Sequence, residues 1–217
     1  MANPLARPIR VVAFILTWLF ILVVLLVCSP LNLLNAPLRK LGWKNPQLPA
    51  SLVFAFIAKA LFWVSSVDVD VARDKASRQL VQNGSAVVMY THSSNMDPVL
   101  VTAFSEAAPK FVYKKLLLFV PLMGWVLYLY RNIAIDRSNR EKAVASLDGA
   151  VVAMKTKRQS IAIAPEGTRS KDGELLEFKK GPFHLAVKGG IDVVPFVIHG
   201  AHELMPTKSL CYSAGRV

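Results

Sequence analysis

A histidine and an aspartate with four residues between them are the first candidates for chemistry in this sequence. Residues 91–97 read THSSNMD, which places His92 and Asp97 at the two ends of the interval. We expect this segment to turn from a strand into a helix, a path that can fold the carboxylate back onto the imidazole. Such a pair can take a proton from a hydroxyl group while Asp97 stabilises the imidazolium.

The same segment offers further groups and also an ordinary interpretation. Backbone N–H groups at the start of the following helix are candidates for binding the oxyanion of a thioester under attack. In the structural alternative, His92 is a satisfied core histidine and Asp97 is the N-cap of the helix, with Pro98 at its first position. A short motif by itself does not decide between the two.

A second candidate is a polar loop directly after a predicted strand. Residues 164–170 read APEGTRS, where Gly167 lets the backbone approach a ligand and Arg169 can grip a phosphate with two N–H groups. Lys179 and Lys180 follow, just before a predicted helix N-terminus, which favours anions. The structural alternative is a polar turn in which Glu166 pairs with Arg169.

Two strand ends and a pair of histidines are the remaining candidates for a functional site. Asp136 and Arg137 follow an apolar run, and Pro195 interrupts another, as proline does at a sheet edge or an irregularity. Both features are also ordinary architecture. His199 and His202 superficially suggest a metal site, but the sequence offers no third ligand nearby, so we predict no metal.

Strands alternate with helices downstream of residue 67, which predicts an α/β fold. We expect a mixed sheet flanked by helices over residues 68–217, with one helix over 116–130 and another opened by a capping box at Ser138 and Glu141. The last residues read as the approach to a further strand, so we expect the domain to be incomplete at its C-terminus. The predicted strands are 85–91, 110–113, 132–136, 160–164 and 193–199.

Residues 1–67 are predicted to form membrane-associated helices. An apolar run over 11–28 is at the lower limit for a spanning helix, and a second run over 48–67 carries Lys59 near its middle. Basic residues flank the first run on both sides, so we predict a two-helix hairpin embedded in one leaflet. A signal peptide cleaved after Cys28 is the alternative.

Composition indicates the kind of partner. Hydrophobic residues make up 53% of the 217 residues, and the formal net charge is +12. Such a charge favours anionic partners, and with the apolar N-terminus these are an anionic membrane surface and phosphorylated substrates. The sequence lacks the aromatic and basic pattern of an RNA-binding module and zinc-finger spacing, so we predict no nucleic-acid partner.

Together, in this order, the motifs resemble those of the glycerophospholipid acyltransferases, especially the 1-acylglycerol-3-phosphate (lysophosphatidic acid) acyltransferases. The resemblance covers about residues 85–205, including the complete EGTRS motif at 166–170. It implies a membrane enzyme, of the endoplasmic reticulum or a bacterial inner membrane with its site facing the cytosol. It implies no cofactor, only an acyl-CoA or acyl-carrier-protein co-substrate. The implied base is His92 with Asp97 as its partner, and the implied glycerol-phosphate ligands are Arg137, Glu166, Gly167, Thr168 and Arg169, to which we add Lys179 and Lys180.

Three alternatives to the implied reaction stay open. The acceptor can be a different lysophospholipid, although several cations favour a phosphate monoester. A serine hydrolase would use Ser93 or Ser94 with His92, but no GxSxG elbow is present. A non-catalytic membrane-bound relative would show no turnover and would be insensitive to a change at His92.

Overall fold

The structure is a computed structural model that describes residues 6–34, 37, 40–41, 48–64, 66–72, 74–84, 86–105, 109–209 and 213–217. In chain order the first elements are α1 (Ala6–Cys28), a 3₁₀ helix (Ser29–Leu34), α2 (Leu48–Val64), β1 (Val67–Asp68), α3 (Lys75–Gln82), β2 (Ala86–Tyr90), α4 (Asp97–Phe104) and β3 (Lys110–Lys114). They are followed by a second 3₁₀ helix (Lys115–Phe119), α5 (Met123–Leu129), β4 (Ile133–Ile135), α6 (Arg140–Lys157), β5 (Ile161–Ile163), α7 (Lys180–Gly189), β6 (Asp192–Phe196), α8 (Ala201–Leu204) and β7 (Gly215–Arg216).

Five strands form one sheet in the order β4-β3-β5-β2-β6, and β1 pairs separately with β7. The predicted α/β class with a sheet flanked by helices is confirmed, but the prediction of a mixed sheet is wrong. Every strand pair in the described part of the chain is parallel. The burial of β2 agrees with a parallel sheet. All five residues of β2 are buried, and strands covered on both faces are typical of parallel sheets.

Three details of the predicted helices are wrong. The expected helix over 116–130 is broken at Pro121, where Leu122 has a φ of 62°, into the second 3₁₀ helix and α5. The capping box at Ser138 is not used, because the side chain of Asn139 caps α6 by accepting the Lys142 N–H at 2.9 Å. Asp97 is the first residue of α4 and not its N-cap, a position that Met96 occupies.

The two N-terminal helices are present and pack on the α/β domain. The Phe62 ring of α2 stacks on Phe104 of α4 with 6.3 Å between centroids. Lys59, which interrupts the apolar run, is exposed and holds its ammonium group 5.3 Å from the centre of the Phe104 ring. The Tyr130 hydroxyl, just after α5, donates to the Leu25 carbonyl of α1 at 3.2 Å. The embedding of these helices in one leaflet stays a prediction.

Within the described ranges, none of the helices is long and apolar enough to cross a bilayer. Most of the connection between the two N-terminal helices lies outside the described residues, including two of the basic residues that flank the first run, Arg39 and Lys44. Residues 210–212 of the predicted final strand lie outside them as well, and the part that follows forms β7.

Candidate active site

The predicted site residues gather at one edge of the sheet because the strands are parallel. The carboxyl ends of parallel strands lie at the same edge, where α/β proteins usually bind their ligands. His92 follows β2, the loop with Glu166 follows its neighbour β5, and Arg137 follows β4, two strands further on. The topology therefore brings together motifs that are far apart in the sequence, with 74 positions between His92 and Glu166 and 30 between Arg137 and Gly167.

His92 and Asp97 form a direct hydrogen bond. The Nδ1 atom of His92 lies 2.8 Å from Oδ2 of Asp97, whose side chain is fully buried, whereas the His92 side chain is 18% exposed. An ionised carboxylate only accepts hydrogen bonds, so we assign the proton to Nδ1 and the free lone pair to Nε2. The interpretation of Asp97 as a mere N-cap is excluded by this geometry, and His92 is left with the ring nitrogen that a base requires.

Backbone N–H groups of the turn between His92 and Asp97 bind side chains of the same turn. The N–H groups of Ser93 and Ser94 both donate to Asp97 Oδ2, at 2.8 and 2.7 Å. The Met96 N–H donates to the Ser94 hydroxyl at 3.1 Å. These three N–H groups precede α4, so the expectation that N–H groups at the start of that helix bind an oxyanion stays a prediction. Ser94 is buried and donates its hydroxyl to the Met205 carbonyl at 2.9 Å, which argues against Ser94 as a nucleophile.

The loop after β5 holds the backbone of His92 on both sides. Glu166 accepts the His92 N–H at 3.0 Å, and Ser170 donates its N–H to the His92 carbonyl at 2.9 Å. Burial raises the pKa of Glu166, while the His92 and Leu176 N–H groups act in the opposite direction. Glu166 is only 2% exposed, and its carboxylate accepts hydrogen bonds from the backbone N–H groups of His92 and Leu176. Its role as a phosphate ligand stays a prediction.

Cationic side chains lie at and beside Gly167. Its φ of 70° lies in the left-handed region that glycine adopts without strain. Arg137 donates to the Gly167 carbonyl, and a Cβ on Gly167 would lie 2.9 Å from Cδ and 3.2 Å from Nζ of Lys179. Arg169, two residues on, donates to the Asn95 side chain within the His92 turn. Three cations thus surround one loop next to the imidazole.

The remaining predicted ligands are at the surface. Thr168 is exposed at the tip of the loop, and Lys180 is exposed as the first residue of α7. Their placement leaves both side chains open to a ligand, and their part in binding stays a prediction.

Thr207 and His202 contact the backbone of the His92 turn, a role that the sequence did not suggest for either residue. Thr207 places its hydroxyl within hydrogen-bond distance of the carbonyls of Ser93, at 3.2 Å, and of Ser170. His202 places Nδ1 3.3 Å from the same Ser93 carbonyl. Both residues lie more than a hundred positions after His92, so no local pattern signals them. Among the described residues no group of three or more His, Cys, Asp or Glu could hold a metal ion.

The fold and the site define an α/β protein that is equipped for general-base chemistry beside a cationic loop. The profile of the Acyltransferase family matches residues 71–199, more than half of the chain. The chain belongs to this family of acyltransferases.

Several curated proteins are similar to this chain in sequence. The 1-acyl-sn-glycerol-3-phosphate acyltransferase of Limnanthes douglasii is 32% identical over 163 residues, which are 75% of this chain and 56% of that protein. The protein of the same name from Escherichia coli (strain K12) is 37% identical over 115 residues, 53% of this chain and 47% of that protein. The chain thus spans about half the length of the curated relatives that it matches.

A solved structure is similar to this chain over most of its fold. The crystal structure of the 1-acyl-sn-glycerophosphate (LPA) acyltransferase PlsC from Thermotoga maritima superposes with a TM-score of 0.72 at 26% identity. The match covers 97% of this chain and 83% of that protein. It supports the parallel α/β architecture described above.

Proposed function

We propose that this chain transfers a fatty acyl group from an acyl thioester to the sn-2 hydroxyl of lysophosphatidic acid, giving phosphatidic acid and a free thiol. The observation that carries the proposal is the contact between His92 Nδ1 and Asp97, which leaves Nε2 as the ring nitrogen available to a substrate at the sheet edge where the cationic loop lies. The names of the relatives agree with this reaction.

The base acts on the acceptor hydroxyl. His92 Nε2 accepts the hydroxyl proton as the oxygen attacks the thioester carbonyl, and Asp97 stabilises the imidazolium that forms. The tetrahedral intermediate then collapses, the C–S bond breaks, and the imidazolium proton passes to the leaving thiolate. In this mechanism no covalent acyl-enzyme forms, and His92 and Asp97 act without a cofactor.

The cations bind the phosphate monoester of the acceptor. An arginine has five N–H donors, so Arg137 and Arg169 keep donors beyond the ones given to Gly167 and Asn95. Lys179 adds a charge over Gly167, and Thr168 and Lys180 are exposed nearby in the sequence. The density of positive charge suits a phosphate monoester better than the diester of other lysophospholipids.

Glu166 has a positioning role in this account. A carboxylate has no attraction for a phosphate, and the Glu166 side chain is buried against the His92 backbone. It fixes the direction in which the imidazole leaves β2, while Ser170 fixes the carbonyl on the other side.

The reaction takes place at a membrane surface in this proposal. Both substrates carry long acyl chains, and the N-terminal helices α1 and α2 would hold the protein at an anionic bilayer, of the endoplasmic reticulum or a bacterial inner membrane. The acyl donor is acyl-CoA or acyl-carrier protein.

An acceptor panel tests the proposal. Purified protein is given oleoyl-CoA with lysophosphatidic acid, lysophosphatidylcholine or lysophosphatidylethanolamine, and both the free thiol and the new lipid are measured. We expect new lipid only with lysophosphatidic acid, and an increased KM for it in Arg137→Ala. Equal use of all three acceptors would reassign the acceptor, and thiol release without new lipid would indicate a thioester hydrolase. The same test with acyl-carrier protein distinguishes the donors.

A further inference from the structure

An exposed apolar surface follows β3 directly. It is formed by the second 3₁₀ helix and α5, and we call it the aromatic patch. Phe119 is 76% exposed, Tyr128 is 73% exposed and Trp125 is 59% exposed. Apolar patches of this kind on a folded domain usually mark an interaction site. The patch consists of Leu116, Phe119, Val120, Trp125, Tyr128 and Leu129.

The backbone holds these side chains as one surface. Pro121 and Leu122 turn the chain between the two short helices, and the Gly124 N–H donates to the Val120 carbonyl at 2.8 Å. Gly124 packs so closely on the Leu118 carbonyl that a Cβ would have no room. The 3₁₀ helix is therefore folded against the first turn of α5.

The charged side chains of the chain segment that forms the aromatic patch and its rim are all positive. Lys114, Lys115 and Arg131 are exposed on either side of it, and the sequence contains no Asp or Glu from residue 109 to residue 135. Tryptophan and tyrosine beside lysine and arginine are the composition that residues at a membrane–water interface show. Basic residues in this position are attracted to anionic lipid headgroups.

The aromatic patch also lies beside the active site. β3 is hydrogen-bonded between β4 and β5, so its carboxyl end opens at the same sheet edge as the loops with Arg137 and Glu166. Hydrogen bonds from Ser138 lower the pKa of Asp136, and the charge of nearby Lys115 adds to the effect. The patch is joined to the N-terminal helices through the packing of Val126 on Leu25.

We propose that the aromatic patch and its basic rim bind the surface of an anionic phospholipid bilayer, as a second membrane contact besides the N-terminal helices. A second copy of the chain fits less well, because two such patches would bring like-charged rims together in molecules that each carry a net charge of +12. Membrane binding through the patch would turn the active site toward the bilayer, where a lipid acceptor lies. Only this benefit rests on the proposed function, since binding itself needs no turnover.

Vesicle binding of the full chain tests the proposal. We expect Phe119→Ser/Tyr128→Ser to reduce partitioning onto phosphatidylcholine vesicles that contain phosphatidylglycerol by about tenfold or more, since two large side chains no longer leave water. The matched control is Val152→Ser/Val187→Ser, on α6 and α7, whose two side chains are 58% and 80% exposed. This control is expected to bind within about twofold of the wild type. Equal binding by the patch variant and the wild type would overturn the proposal.

A second measurement uses the tryptophan of the patch and does not depend on loss of binding. In a variant in which Trp18, Trp43 and Trp63 are replaced by phenylalanine, Trp125 is the remaining tryptophan. We expect brominated lipids in the vesicles to quench its emission, whereas an unquenched Trp125 in vesicle-bound protein would contradict a bilayer contact. Self-association that disappears in the patch variant, without a change in vesicle binding, would assign the patch to a second copy.

Catalysis and binding can be separated in the same experiments. His92→Ala is expected to bind vesicles as the wild type does, and the patch variant is expected to keep its turnover of substrates in detergent micelles. If the wild type binds vesicles through the patch but transfers no acyl group, the proposed function fails while the membrane contact stands.

Discussion

Replacing Asp97 by asparagine removes the negative charge that faces His92 and nearly preserves the shape of the side chain. Asp97 Oδ2 accepts hydrogen bonds from His92 Nδ1 and from the N–H groups of Ser93 and Ser94, at 2.7 to 2.8 Å. An asparagine oxygen can still accept from the two backbone groups. The change therefore acts mainly on the imidazolium that forms when His92 takes the acceptor proton.

The size of the effect follows from the geometry. Opposite charges centred about 4 Å apart interact by about 4 kcal/mol at an effective dielectric constant of about 20. Since His92 is 18% exposed, solvent screens part of this interaction, and we use a range of about 2 to 4 kcal/mol. Each 1.36 kcal/mol changes a rate by about tenfold. We therefore expect Asp97→Asn to lower kcat between about thirtyfold and a thousandfold.

A double-mutant cycle separates this explanation from a general loss of structure. Thiol release and lipid formation are measured for Asp97→Asn, His92→Ala and the double variant. Because Asp97 acts through His92, the double variant should be no slower than His92→Ala. The control is Asp148→Asn, which removes an exposed ion pair with Lys188 and should leave kcat within about twofold. A kcat for Asp97→Asn close to that of the wild type, or fully multiplicative effects, would refute the reasoning.

Three other substitutions test the loops around the base. We expect Glu166→Gln to lower kcat, since the carboxylate accepts the N–H groups of His92 and Leu176, and the substitution replaces one of its two oxygens by an NH₂ group that cannot accept a hydrogen bond. The raised pKa of Glu166 means that the folded state binds the proton more tightly, so the unfolding free energy of the wild type should fall relative to Glu166→Gln as pH rises above 4.5. Gly167→Ala should lower the unfolding free energy by about 1 to 2 kcal/mol, because of its φ of 70°, and should raise the KM for lysophosphatidic acid by displacing Lys179. Thr207→Val should lower kcat and cost about 1 kcal/mol of unfolding free energy, while Thr207→Ser keeps the hydroxyl and restores both.

Each of these expectations has its own readout. Denaturant unfolding between acidic and neutral pH measures the contribution of Glu166, and a constant difference between wild type and Glu166→Gln would contradict its raised pKa. An unchanged KM in Gly167→Ala would separate Lys179 from the acceptor phosphate. Equal kcat values for Thr207→Val and Thr207→Ser would show that the hydroxyl does not position the base.

The motifs of the site could be predicted from the sequence because each lies within a few residues. Asp97 is close enough to His92 that a single turn joins them, and the loop over 164–170 carries its own signals in Gly167 and Arg169. The apolar runs also predicted the strand positions to within a few residues, since a strand buried on both faces needs continuous apolar side chains. The parallel direction of every strand pair among the described residues was missed, because periodicity does not report strand direction.

The contacts between distant segments could not be predicted in the same way. The bond between Glu166 and the His92 N–H depends on the pairing of β2 with β5, which no local pattern encodes. The sequence suggested an ion pair between Glu166 and Arg169, three positions apart. It gave no sign that Glu166 would bind the backbone of His92 instead. Thr207 and His202 reach the Ser93 carbonyl from a segment without a motif of its own.

The proposed mechanism depends most on His92 as the base of an acyl transfer. The most direct test incubates wild type and His92→Ala with oleoyl-CoA and lysophosphatidic acid and measures the ratio of thiol released to phosphatidic acid formed. We expect one thiol for each phosphatidic acid in the wild type, and a loss of at least about a hundredfold in the folded His92→Ala variant. Undiminished phosphatidic acid formation by His92→Ala would contradict the mechanism.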